Sequence, residues 1–450
     1  MIDFNGRTVE NCAGTSRRAL LRAGMLGLAG CSLADVLRLE ARGAASKSNR
    51  SVILVWLDGG PPQHETYDPK PDAPSEFRGP LGAIPTNVPG VALSELFPLQ
   101  ARLMDKMALL RSVHHDNGDH FAAAHWMLTG RLGSNASNLA PMYPSAGSII
   151  TKLLGARSGD MPAYVGLPNT HSVGLVPGYH GAAFLGGSFN PFNAPGDPNS
   201  PGYRQELLSP PAGIDAGRME ARKSLRERFD ELRRSVDGAS ESGDLDKFQH
   251  EAFTLLTSPT ARKAFDLETE DPRLRDRYGR TTWGQSALVA RRLVEAGARF
   301  VTLTFGGWDY HSNLDKGMRA VLPQLDAAVA GLIEDLDVRG RLDDTMVIVM
   351  GEFGRTPKIN QGLPQDPIPG RDHWGQVMSV AVAGGGLRGG RVVGASNARG
   401  EVPRERPLRP QDVLATVYHQ LGIDLDHTFL DRTGRPVPVL GNGDPIEELL

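Results

Sequence analysis

Carboxylates and imidazoles recur at one kind of place in this 450-residue sequence, just past runs of apolar residues. "SVILVWL" is followed by Asp58, and "MALLRSV" by His114 and His115, with Asp119, His120 and His125 beyond. "VTLTF" leads into "GGWDYHS", which carries Asp309 and His311, and "TMVIVM" leads into "GEFGRTP", which carries Glu352 and Arg355. The loop "GRDHWG" adds Asp372 and His373 ahead of another apolar run, "VMSVAVAG". Taken singly, such an Asp is a turn residue or helix cap, and such a His an ordinary hydrogen-bonding group. Gathered in one cleft, several carboxylates repel, and a divalent cation is the common way to neutralise them. The two cysteines, Cys12 and Cys31, both lie ahead of the first apolar run. An ion in the folded domain is therefore expected to be held by oxygen and imidazole, which suits Zn, Mn, Ca or Mg.

The elements that must position these groups follow from periodicity. The apolar runs read as buried strands, and helical patterns alternate with them: "FAAAHWMLTG" closed by Gly130, "SAGSIITKLLG" closed by Gly155, "QSALVARRLVEAG" stopped at Gly297, and "PQDVLATVYHQLG" near the end. "LSELFPLQARLM" also reads as a helix. From Leu314 to Leu336, apolar residues at Leu314, Met318, Val321, Leu322, Leu325, Val329, Leu332, Ile333 and Leu336 mark one helical face. Strands alternating with helices predict an open, mainly parallel sheet covered on both faces. In such sheets ligands sit beyond the carboxyl ends of the strands, where the residues above fall.

Hydrophobic residues make up 40% and charged residues 22% of the chain, with a net charge of -3, which gives no electrostatic case for nucleic acid. Residues 1–48 read as an address and linker. "TSRRALLRAGMLGLAGCSLADVL" resembles a twin-arginine export signal, with Arg17 and Arg18 ahead of a short Ala-, Gly- and Leu-rich run. That run is shorter than the ~20 apolar residues of a spanning helix, so no transmembrane span is expected in the mature chain. Export would place the protein in the periplasm or cell envelope, with the twin-arginine translocase as a partner. "LAGC" resembles a lipoprotein box that would put a lipid on Cys31; a cut near Ala45 competes with it. Residues 49–450 read as a single domain, with turn chemistry and charged surface helices inserted around 189–280. "AGGGLRGGRVVG" lacks phosphate-loop spacing and reads as a turn.

Together, "VILVWLDGG", "AAAHWMLTG", "WDYHS", "MVIVMGEFGRTP" and "GRDHWG" resemble a bacterial family related to sulfatases, domain of unknown function 1501, within the alkaline-phosphatase-like superfamily. The resemblance implies a three-layer α/β/α sandwich of alkaline-phosphatase/sulfatase type. It also implies metal ligands at Asp58, Asp309, His311, Glu352 and His373. Where the superfamily has an Asp-His pair, this chain has Glu352 and Phe353, which keeps the carboxylate and loses the imidazole. Sulfatases carry a Cys or Ser ten residues before the glycine that closes the "LLTG" helix; counting back from Gly130 lands on His120. Thr66 is the nearest alternative hydroxyl.

Two functions compete on these residues. The first is an exported metal-dependent hydrolase of phosphate or sulfate esters. In it the cation polarises the ester oxygen and activates water, and His120 acts as nucleophile, base or further ligand. Arg355 either holds a non-bridging oxygen or forms a salt bridge. The substrate would be a sulfated or phosphorylated small molecule or glycan. The alternative is a non-catalytic envelope protein of the same fold that binds a glycan or protein partner.

Overall fold

The computed structural model describes residues 48–203 and 258–450. Eight strands form its central sheet: β1 (Ser51–Leu57), β2 (Met107–Val113), β3 (Tyr164–Leu167), β4 (Phe192–Asn193), β5 (Phe300–Phe305), β6 (Thr345–Met350), β7 (Met378–Gly384) and β8 (Arg391–Val393). Their order across the sheet is β8-β2-β7-β6-β1-β5-β3-β4. β1 lies parallel between β5 and β6, while β7 runs antiparallel to both of its neighbours, β6 and β2. The sheet is thus mainly parallel, with one reversed strand inside it.

The main helices are α1 (His120–Thr129), α2 (Ala146–Leu154), α3 (Thr282–Ala296), α4 (Leu314–Val338) and α5 (Pro410–Gln420). Side chains of a strand alternate between faces, and in β1 all seven residues are buried. Ile53, Val55 and Leu57 join a core with Leu288 and Leu293 of α3 and Leu322 and Leu332 of α4. Val52, Leu54 and Trp56 join the opposite core with Met127 of α1, Ile149 of α2 and Leu414 of α5. Two apolar faces, each covered by helices, make three layers. Burying each Leu, Ile or Val fully contributes roughly 1.5–3 kcal/mol, and the strands supply such residues on both faces. All nine residues expected on the α4 face lie in the first core.

Some elements differ from expectation. "LSELFPLQARLM" is a short strand, Ala92–Ser94, and one helical turn, Pro98–Ala101. Pro98 stands at the first helical position, where its missing N–H costs nothing, and a helix cannot run through it from the N-terminal side. The stretch expected as pure turn chemistry contains β4, a two-residue edge pairing with β3. β3 and β8, of four and three residues, are too short to show a period. Within the expected insertion the described residues form two short helices, Pro259–Phe265 and Pro272–Arg277, capped by Ser258 and Asp271. The charged helical pattern ahead of them, the export segment and both cysteines lie outside the described residues. Among the described residues, no helix is long and apolar enough to cross a membrane.

Candidate metal centre

The parallel strands deliver their carboxyl ends to one edge. Asp58 follows β1, Asp309 and His311 follow β5, and Glu352 follows β6. Because β7 is reversed, its N-terminal end lies at the same edge, so His373 arrives there just before β7 rather than after a strand. His373 is held by a two-residue antiparallel pairing with Arg355. His120 opens α1, whose N-cap is Asp119; the Asp119 carboxylate accepts the N–H of Ala122 at 2.9 Å.

Three of the expected ligands converge tightly. His311 Nε2 and His373 Nε2 each lie 3.0 Å from Asp309 Oδ1 and 3.0 Å from one another. The other nitrogen of each ring has a fixed partner. His311 Nδ1 donates to Asp372 Oδ1 at 2.6 Å, and His373 Nδ1 donates to the carbonyl of Gly118 at 2.9 Å. Both partners only accept, so in the neutral rings the proton sits on Nδ1 and the lone pair on Nε2. Two lone pairs and a carboxylate oxygen therefore face each other. Ligand atoms of a tetrahedral centre with bonds of about 2.0–2.1 Å stand roughly 3.3 Å apart, close to this spacing. A carboxylate behind a ligating histidine is the usual outer-shell arrangement. His120, Asp309 and His373 also bring one ligand atom each to within 4.8 Å of one another. The donor set fits a divalent cation.

Asp309 carries the charge of this cluster. Burial works to raise its carboxyl, but the neighbouring His120 and His373 imidazoles and the Arg355 guanidinium outweigh it and hold the group well below the usual carboxylate range. Its side chain is 45% exposed, which leaves the centre open to a small anion from solvent.

Glu352 and Asp58 sit beside this centre with other partners. Glu352 is fully buried and accepts the N–H of Gly59 on both oxygens, at 2.9 and 3.1 Å. Its Oε1 also accepts His120 Nδ1 at 2.7 Å. Burial raises the Glu352 carboxyl against the pull of His120, and the nearby Asp58 charge raises it further. Gly59 is required there: its φ is +118°, and a Cβ would stand 2.9 Å from the backbone nitrogens of Trp308 and Asp309. Asp58 accepts the N–H of Val173 at 2.9 Å and the Trp56 indole N–H at 2.9 Å, with His171 Nε2 3.7 Å away.

His120 links the two groups, since its Nε2 faces Asp309 Oδ2 at 3.4 Å. Burial pulls this imidazole down, but bonds to Asp309 and Glu352 prevail and push it up to about 9.

Arg355 does not face the cleft as an oxygen clamp. Its guanidinium is buried and donates to the carbonyls of Gly60 at 2.9 Å, Arg371 at 3.2 Å and Trp308 at 3.3 Å, to Gly59, and to Asp309 Oδ1 at 2.6 Å. Its place is that of the salt bridge, with Asp309 as partner. The Thr66 hydroxyl is buried and donates to the carbonyl of Pro62 at 2.7 Å, away from any nucleophilic role. His125 is fully buried with Nδ1 on the carbonyl of Arg131, outside the cluster.

The roles of two supports escaped the sequence. His115 Nε2 donates to the backbone carbonyl of Glu352 at 2.7 Å. Arg371, one residue before Asp372, is buried against Glu65 at 2.8 Å and donates to the carbonyls of Phe77 and Thr356. A buried Arg in "GRDHWG" was the available signal, because an arginine beside two site residues needs a partner.

No match to a curated protein was found. Solved structures similar to the chain include the PsFucS1 sulfatase from Pseudoalteromonas sp., at 14% identity and a TM-score of 0.38, covering 86% of this chain and 70% of that one. The phosphonate monoester hydrolase SpPMH from Silicibacter pomeroyi matches at 11% identity and 0.34, covering 83% and 74%. A TAB5 alkaline phosphatase mutant matches at 13% and 0.32, covering 75% and 92%. The family model described as "Protein of unknown function (DUF1501)" matches residues 49–450, and the chain belongs to that family.

Proposed function

We propose that this protein is an exported, metal-dependent hydrolase of phosphate or sulfate esters, acting in the periplasm or cell envelope. The observation that carries the proposal is the triangle of Asp309 Oδ1, His311 Nε2 and His373 Nε2, with both Nδ1 protons already committed. Two imidazoles in the set favour Zn over the hard cations Ca and Mg. A divalent cation held there supplies Lewis-acid polarisation of an ester oxygen and makes a bound water more acidic. Arg355 holds Asp309 in place and offsets part of its charge. Asp372 and the Gly118 carbonyl keep the two rings turned inward.

His120 is the proton carrier in this reading. Glu352 fixes its Nδ1 side, as a carboxylate fixes the histidine of a hydrolytic triad, and leaves Nε2 facing the cleft. Held between the Glu352 and Asp309 carboxylates, which raise the imidazole, His120 is placed to give a proton to a leaving-group oxygen.

A second reading, a non-catalytic envelope protein of the same fold that binds a glycan or protein partner, is favoured by Phe353. Its buried ring stacks on His373 at 4.6 Å, in the position where the resemblance implies a second metal-binding imidazole. Metal analysis of protein exported in a twin-arginine-competent host, with a panel of phosphate and sulfate esters, separates the two. The expected result is one Zn per chain and turnover that disappears in His373→Ala. Absence of turnover of any ester, with or without stoichiometric Zn, selects the second reading, and a chain without metal ends the first.

A further inference from the structure

His311 lies in the link between β5 and α4, so neither element fixes its backbone directly. The stretch "NQGLPQDPIPGR", Asn360 to Arg371, runs alongside that link. The N–H of Arg371 donates to the carbonyl of Tyr310 at 3.0 Å, and the N–H groups of Asn313 and Leu314 donate to the carbonyls of Ile368 and Pro369 at 3.3 and 3.1 Å. Gly370 lies against His311 so closely that a Cβ would overlap the His311 carbonyl group. The Asn360 amide donates to that same carbonyl at 3.1 Å, while its oxygen accepts the N–H groups of Gly362 and Gly370 at 2.8 Å each.

Asp366 is the carboxylate of this loop, and the loop holds it stiffly. Leu363 and Asp366 exchange backbone hydrogen bonds at 3.0 and 2.9 Å around Pro364 and Gln365, a turn with proline at its favoured second position. Pro364, Pro367 and Pro369 each fix a backbone φ. Asp366 Oδ2 accepts the Ser312 hydroxyl at 2.8 Å and also the side-chain amide of Asn313. Asn313 is the N-cap of α4, where an Asn side chain ordinarily accepts a helix N–H. Here its φ is +56° and the side chain makes no capping bond. Its amide is turned to Asp366 instead. Helix stability alone favours the cap, whereas the bond to Asp366 fixes the two residues directly after His311.

From this we infer that Asp366 is a positioning residue of the metal centre: through Ser312 and Asn313 it sets where His311 presents Nε2 to the cation. The inference rests on the metal-centre reading above. It differs from the part played by Asp372, which turns the His311 ring through Nδ1. Asp366 acts on the backbone that carries the ring, and its own contacts are with Ser312 and Asn313 rather than with any ligand atom.

Zn competition against a chelator, read beside melting of the metal-free proteins, tests this. Asp366→Ala should weaken Zn binding about tenfold, the lower end of what outer-shell partners contribute. Its metal-free melting should shift little, because the backbone pairing with Leu363 keeps the hairpin without the carboxylate. Asp366→Asn keeps an oxygen that accepts from Ser312 and Asn313 and should recover most of the lost affinity. Ser312→Ala removes one of the two bonds with no change of charge. It should weaken Zn binding by less than Asp366→Ala and add nothing to it in the double variant, as two halves of one contact do. Wild-type Zn affinity in Asp366→Ala overturns the inference and leaves the metal centre standing. An Asp366→Asn variant as weak as Asp366→Ala also overturns it, since the effect is then one of charge rather than of position. A parallel fall of several degrees in metal-free melting assigns Asp366 to the fold instead. A wild-type chain that does not compete for Zn removes the metal centre, and this inference with it.

Discussion

Replacing Asp372 by Ala isolates what orients the inward Nε2 face of His311 in the proposed metal centre. The substitution removes the 2.6 Å acceptor of His311 Nδ1, together with a weaker interaction with the Asn360 side chain. The local backbone stays pinned, because Thr356 N–H donates to the carbonyl of residue 372 at 2.8 Å and its hydroxyl accepts the N–H of 372 at 2.9 Å. The Asp372 side chain is 52% exposed, so a change in fold stability beyond about 0.5 kcal/mol is not expected. Loss of an outer-shell carboxylate typically costs ten- to a hundredfold in metal affinity, or about 1.4–2.8 kcal/mol. Asp372→Asn keeps an acceptor without the charge and should fall near the smaller end. The assay is Zn competition against a chelator of known affinity, with His373→Ala as the direct-ligand control and melting of the metal-free proteins as the fold control. Wild-type Zn affinity in Asp372→Ala, alongside lost affinity in His373→Ala, would refute the ordering role of Asp372. A drop of several degrees in metal-free melting would show that the side chain serves the fold instead.

Four further outcomes are expected. Glu65→Gln leaves the fully buried Arg371 guanidinium beside a neutral group and should destabilise the fold by about 3–5 kcal/mol in denaturant titration; an unchanged midpoint would remove Arg371 as an anchor of the His373 loop. Asp326 is buried and accepts the N–H groups of Leu99 and Gln100, yet burial outweighs those bonds and pushes its carboxyl up from 3.8 to about 6. The folded state then binds the proton more tightly than the unfolded one, so stability from this group is full below about pH 4 and falls by about 3 kcal/mol as pH rises through 6. Asp326→Asn should flatten that slope, and an unaltered slope would count against the assignment. Glu352→Gln should retain Zn while lowering ester turnover about a hundredfold or more, because His120 loses its fixed carboxylate; loss of Zn instead would make Glu352 a ligand. Replacing Arg17 and Arg18 with Lys should hold the protein in the cytoplasm, and fractionation showing normal delivery would reject the twin-arginine route.

How much was legible beforehand depends on the range of the interaction. Strand and helix identity is written in local periodicity, so β1, β5, β6, β7 and the buried face of α4 could be read from runs of a few residues. The same reading placed Asp58, Asp309 and Glu352 at strand ends on one edge, because parallel strands share their direction. Short edge strands such as β4 and β8 offer too few residues to carry a period, and Pro98 ended a helix that apolar spacing alone would have continued.

Pairing is different, because the partners are far apart along the chain and only packing chooses among them. Glu352, Asp58 and Arg355 all belonged to one expected constellation by residue type. The structure couples Glu352 to Gly59 and His120, Asp58 to Val173, and Arg355 to Asp309. Strand reversal at β7 brings His373 to the site from the opposite chain direction, which no local pattern announces. Short-range periodicity and strand direction are enough to say which chemical groups reach the carboxyl edge. Which atoms face each other there is a matter of packing: two lone pairs and one carboxylate at 3.0 Å are set by Asp372, Gly118 and Arg355, partners whose spacing along the chain carries no signal.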